Sequence, residues 1–252
     1  MSRVLAPGDD ARGRRALTAL FAHPDDETFA TGATIARYAA DGVRCSLYCA
    51  TDGDAGKSSA IPVSTPAELG RIRRDELRAA SAILGIETVV YGGHGDGQLS
   101  QADPDAVIGQ IVHLLRRERP DVVVTFGPEG APTQHRDHRA ISRLATAAFL
   151  LAGTSAFSEQ LRDGVAPFRP ARLCVVTWTP PGAGELYQAE GQPPHVRVDA
   201  RAWNATKTTA FLAHQTQRQH QVNFERYALT DDEWYSVIIG NPAPVGATSL
   251  FD

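Results

Sequence analysis

Cysteine is scarce in this sequence. Its three residues, Cys45, Cys49 and Cys174, are odd in number and show no CxxC spacing, which excludes a disulfide framework. Cys45 and Cys49 fall in an apolar stretch, where a thiol is a small buried hydrophobe, and a reducing cytoplasm is the expected compartment. No block of Lys and Arg concentrates positive charge, and the net charge is −4, so nothing pulls the chain toward phosphate backbones. Nucleic acid is not an expected partner. Long apolar runs are missing too. The most apolar helix-like stretch, Leu144 to Ala152, falls far short of the roughly twenty residues a bilayer crossing needs. The first fifteen residues, MSRVLAPGDDARGRR, lack the apolar centre of a secretion signal and read as a poorly ordered polar arm. The expectation is a soluble protein with no membrane partner, its self-association left open.

What is present suits one α/β domain over residues 1–252, with 42% hydrophobic and 21% charged residues. Strand-like runs are expected at Ala16 to Ala22, Val43 to Ala50, Thr88 to Tyr91, Val122 to Phe126 and Leu173 to Trp178. Helical spacing is expected over Asp26 to Ala40, Pro66 to Gly85, Asp105 to Arg119, Asp137 to Leu151 and Ala202 to Gln217. Strands alternating with helices imply a Rossmann-like, open and mostly parallel sheet with helices on both faces. Two long loops, 52–65 and 180–194, read equally as functional lids or as disordered segments.

The first strand lacks the GxGxxG turn of a dinucleotide site. It runs instead into Ala22-His23-Pro24-Asp25-Asp26-Glu27, and the fourth strand leads to His135-Arg136-Asp137-His138. With strand order 3-2-1-4, strands 1 and 4 are neighbours whose C-terminal ends flank the ligand crevice of such folds. Two segments more than a hundred residues apart would then bring metal-capable groups together.

Catalytic zinc takes three ligands from His and Asp or Glu, and His23, Asp26 and His138 supply such a set. Zinc lowers the pKa of its bound water from about 15.7 toward 7. Asp25 is the candidate general base. His135 suits oxyanion stabilisation or protonation of the leaving nitrogen, and Asp137 can fix an imidazole tautomer. Plainer alternatives stand beside these: Asp25 and Asp26 as helix-capping carboxylates, and the His pair as a solvated loop.

These residues closely resemble the PIG-L/LmbE-like family of zinc-dependent N-acetylglucosamine deacetylases. The likeness runs from the signature at 22–27 through Arg73-Arg74-Asp75-Glu76-Leu77, Asp96-Gly97 and His135-x-Asp137-His138 to Lys207 and His214-Gln215-Thr216-Gln217. It implies zinc on His23, Asp26 and His138, one per chain; affinity order and availability leave ferrous iron open as the occupant in the cell. It also implies Asp25 as base, His135 as electrophile or acid, and Arg73 and Asp96 facing a small amino-sugar substrate. The sequence departs from the family at Arg136, where Pro is usual, and at Thr133, where some members carry Tyr. His94 has no assigned part. Two rivals remain: an amidase for a larger N-acyl sugar conjugate or antibiotic precursor, and a non-catalytic sugar-binding protein, against which the intact Asp25 speaks.

Overall fold

In the computed structural model, residues 13–178 and 191–252 are described; most of the polar arm and of the 180–194 loop lie outside them. The strands are β1 (Ala16–Phe21), β2 (Arg44–Thr51), β3 (Ile86–His94), β4 (Val122–Thr125), β5 (Arg172–Thr177), β6 (Val196–Asp199) and β7 (Asp232–Gly240). They form one seven-stranded sheet in the order β3-β2-β1-β4-β5-β7-β6. β1 to β5 are mutually parallel, while β7 runs antiparallel to both β5 and β6. The expected 3-2-1-4 core order is present. β1, β4 and β5 are buried along their whole lengths. This is why they read as mostly apolar runs: helices cover both faces of a parallel sheet.

The helices α1 (Asp26–Ala40), α2 (Pro66–Leu84), α3 (Pro104–Glu118) and α4 (Arg136–Leu151) begin and end where local chemistry allows. Thr65 caps α2 by accepting from Glu68 N–H, Pro66 fills its first turn, and Gly85 ends it in the left-handed region at φ 80°. Asp103 caps α3. A short α5 (Ser158–Arg162) precedes β5. Among the described residues no helix is long and apolar enough to cross a membrane.

Two expectations need correction. The helix expected over Ala202 to Gln217 is α6 (Asn204–Ala213), flanked by short 3₁₀ turns. It breaks at His214, whose φ −79° and ψ 66° leave helical space so that its imidazole can reach Glu27. The sequence reading also passed over β6 and β7. The buried side of β7 carries a charged residue, Glu233, beside Tyr235, so the strand lacks an apolar face in the sequence.

Glu233 ties three elements together. It accepts from Lys207 Nζ of α6 at 2.6 Å and from the backbone N–H groups of Ala33 and Thr34 in α1. Lys207 is 1% exposed and also donates to Ala228 O. Its stem lies against Gly32, where a Cβ would stand 2.8 Å from Lys207 Cγ.

Candidate active site

The turn after β1 carries the first cluster. Asp26 begins α1 and turns its carboxylate back, so that Oδ2 accepts from the N–H groups of Ala22 at 3.1 Å and His23 at 2.8 Å. Its Oδ1 faces His138 Nε2 at 3.2 Å, and its Oδ2 stands 3.4 Å from His23 Nδ1. His138, in the first turn of α4, stacks on Phe126 just beyond β4, with ring centroids 3.9 Å apart and planes 10° from parallel. The two parallel strand ends thus bring His23, Asp26 and His138 together, all buried.

The far side of His23 meets carboxylates. His23 Nε2 lies 3.2 Å from Asp96 Oδ1 and 3.4 Å from Asp137 Oδ2. Asp137 is fully buried and held by the N–H groups of Gly97 at 2.6 Å and Leu99 at 3.2 Å. An imidazole that donates from Nε2 to a carboxylate presents the Nδ1 lone pair on its other edge, the usual support of a metal-binding histidine. That lone pair faces a carboxylate oxygen already accepting two N–H groups, an arrangement that only a proton or a cation relieves. The donor set fits a divalent metal on this ground. Donor atoms of His23, His135 and His138 fall within 4.8 Å of one another, as do those of His23, Asp96 and Asp137. Burial alone would lower the His23 pKa, yet Asp137, Asp26 and Asp96 carry it well above its ordinary value. Burial would raise Asp26, but the two imidazoles hold it well below the usual carboxylate range.

Asp25 adjoins this cluster in the turn that leads into α1. Its φ of 121° lies in the left-handed region, a strain of about 1–3 kcal/mol that persists only where the surroundings dictate it. They do so here. Glu27 Oε2 accepts Asp25 N–H at 3.0 Å, while Arg73 donates to Pro24 O and, at 3.1 Å, to Asp25 Oδ2. Glu27 in turn accepts from the buried His214 Nε2 at 2.9 Å. Burial, opposed by Arg73 and assisted by Asp26, pushes the Asp25 carboxyl up to about 7.

The contacts of Arg73 are with the chain itself. It is 4% exposed, with Nη1 on Gly53 O at 2.9 Å, so its described contacts hold Asp25 and the loop. Glycine suits position 53, whose φ of 65° lies in the left-handed region and where a Cβ would stand 2.2 Å from Arg73 Nη1. Asp96 is likewise turned inward to His23, with its other oxygen on Ala55 N–H. Glu76 accepts from Thr216 N–H and hydroxyl, which accounts for the Arg73–Glu76 spacing on α2. The 52–65 loop, expected as a lid or a disordered segment, is fastened at Asp52 to Arg74, at Ala55 to Asp96 and at Ser59 to Gln219. His94 bonds Gln110 at the sheet edge, away from the cluster.

His135 caps α4 by accepting Asp137 N–H at Nδ1, which puts its own proton on Nε2 in the neutral ring. Burial, with help from His23 and His138, lowers its pKa. Its ring lies 4.7 Å from that of His23 and edge-on to it. Thr133, at the departure from the family, has its hydroxyl 3.4 Å from His138 Nδ1. Asp25, Asp26, Thr133 and His138 open on a cavity of about 250 Å³ that is completed by His220, Asn223 and a wall of apolar side chains. Sequence reading missed His220 and Asn223, which sit in a run of short turns with no periodicity to mark them.

The family model for GlcNAc-PI de-N-acetylase, PIG-L, matches residues 18–149. A 1D-myo-inositol 2-acetamido-2-deoxy-alpha-D-glucopyranoside deacetylase of Rhodococcus opacus is 32% identical, over 86% of this chain and 87% of its own. Among solved structures, N,N'-diacetylchitobiose deacetylase from Pyrococcus horikoshii superposes with TM-score 0.73 at 21% identity, covering 92% of this chain and 87% of that one. The 4-carboxy-2-hydroxymuconate hydratase GalB from Pseudomonas putida superposes with TM-score 0.69 at 20% identity, covering 91% and 98%, so this fold also carries a different reaction. With the signature turns meeting at one crevice and a relative this similar over most of its length, the chain belongs to the PIG-L family of GlcNAc de-N-acetylases.

Proposed function

We propose that the chain hydrolyses the N-acetyl amide of a GlcNAc-type amino sugar or sugar conjugate, with one zinc held by His23, Asp26 and His138. The observation that carries this reading is the convergence of those three side chains, with Asp25, Asp26 and His138 lining one cavity. A divalent cation held there supplies positive charge that acidifies water and offsets negative charge building on the amide oxygen. Ferrous iron suits the same donors, and availability in the cell decides between the two metals.

The remaining steps belong to the chain's own residues. Asp25, with its carboxyl pushed up to about 7, is matched to take a proton from the attacking water near neutral pH. Arg73 and Glu27 position it. His135, neutral and carrying its proton on Nε2, suits donation of a hydrogen bond to the oxygen that becomes negative in the tetrahedral state. Asp137 and Asp96 orient His23 from behind. Asp25 returns the proton to the leaving nitrogen as the C–N bond breaks. Metal analysis of the purified protein, with a free-amine assay over a panel of N-acetyl amino sugars, tests the whole reading. Protein without metal, active in a strong chelator, would end it.

A further inference from the structure

The stretch His214-Gln215-Thr216-Gln217 has no part in the chemistry described so far, although His214 is fully buried. α6 ends at His214, whose φ −79° and ψ 66° turn its imidazole off the helix. Its Nε2 reaches Glu27 Oε1 at 2.9 Å, while its Nδ1 has no hydrogen-bond partner among the described residues. The ring is thus committed to Glu27. Facing a carboxylate, Nε2 carries the proton whether the ring is neutral or charged.

Glu27 is itself fully buried, and its two oxygens have different duties. Oε1 accepts from His214 and from the Thr28 hydroxyl, and Oε2 accepts Asp25 N–H at 3.0 Å. A buried carboxylate on a flexible stem keeps one orientation only while donors hold it. Asp25 needs that hold, because its φ of 121° is a strained conformation that relaxes once its amide is released. The same segment reaches the other support of Asp25. Thr216 donates to Glu76, in the turn of α2 that follows Arg73.

We propose that His214 is a positioning residue for Asp25 and acts through Glu27. The inference rests on Asp25 being the base of the deacetylase reading and adds the part played by the C-terminal stretch. A bond that only fastened α6 would govern stability. A bond that aims the base governs how fast bound substrate reacts, and its loss slows that step without weakening the grip on the sugar.

The test compares His214→Leu, which removes the donor, with His214→Gln, whose amide nitrogen stands near the place of Nε2. Turnover of N-acetylglucosamine, metal content and hydrogen exchange of the Asp25 backbone amide are measured on the same samples. In His214→Leu, kcat should fall about 10- to 10²-fold with KM and metal content little changed. His214→Gln should recover most of that loss. The Asp25 amide should exchange about tenfold faster in His214→Leu while the amides of β1 keep their wild-type rates. On a Glu27→Met background, where the link is already cut, His214→Leu should change kcat by less than about twofold. If the Leu variant does not fold, His214→Asn, polar but too short to reach Glu27, takes its place. Wild-type kcat in metal-loaded His214→Leu would overturn the inference, as would equal losses in the Leu and Gln variants or losses that multiply with Glu27→Met. A wild-type enzyme that releases no amine would sink the deacetylase reading, and the Asp25 amide alone then decides whether His214 holds that residue in place.

Discussion

Arg73 Nη2 donates to Asp25 Oδ2 across 3.1 Å, joining the middle of α2 to a residue held in the left-handed region at φ 121°. One guanidinium thus fixes both the place and the acidity of the candidate base. Burial raises the Asp25 pKa to about 7, and Arg73 is the largest influence pulling it down. The carboxylate is the working form, so activity should rise with pH through the neutral range. Replacing Arg73 with Met removes the cation that favours that form, and the acid limb of kcat/KM should move to higher pH with metal content unchanged. A sugar-facing Arg73 would instead raise KM and leave the limb where it was. The pH profile of the variant separates the two roles.

Donor atoms of His135 fall within 4.8 Å of those of His23 and His138, and the ligand set can be tested directly. His23→Ala and His138→Ala should lose the metal. His135→Ala should keep it and lower kcat and kcat/KM together by about 10²- to 10³-fold, as loss of one oxyanion donor does. Metal analysis of the three variants checks the assignment, and metal loss in His135→Ala would make His135 a ligand.

Lys207 and Glu233 form a pair buried to 1% and 5% exposure. Removing one partner leaves the other charge stranded, which typically costs about 3–5 kcal/mol. Lys207→Met should therefore shift the urea midpoint far down, and Lys207→Met with Glu233→Gln should recover part of the loss. A single variant as stable as the wild type would mean that water reaches Glu233.

The parallel core was legible because strands covered on both faces are apolar runs and amphipathic helices separate them. Caps such as Thr65-Pro66 and the stop at Gly85 were equally plain, since local sequence alone decides them. β7 was not, because its buried face spends a charged residue on Lys207, a partner 26 positions away. The break at His214 was hidden for a similar reason: it exists to bring an imidazole to Glu27, 187 positions earlier. In the site, residue types at strand ends pointed to His23, Asp26, His138 and Asp25. The inward turns of Arg73 and Asp96 depend on the loop at Gly53 and on the backbone of Asp25, which no sequence pattern displays.

Free-amine release by Asp25→Asn bears most directly on the proposed chemistry, provided its metal content is measured on the same sample. Asn has nearly the shape of Asp but cannot take the water's proton, and general-base catalysis is worth about 10²- to 10⁴-fold. The expected result is one metal per chain with turnover reduced by that factor. A variant that holds its metal and turns over at the wild-type rate would contradict the account, leaving Asp25 a strained helix cap and the base elsewhere.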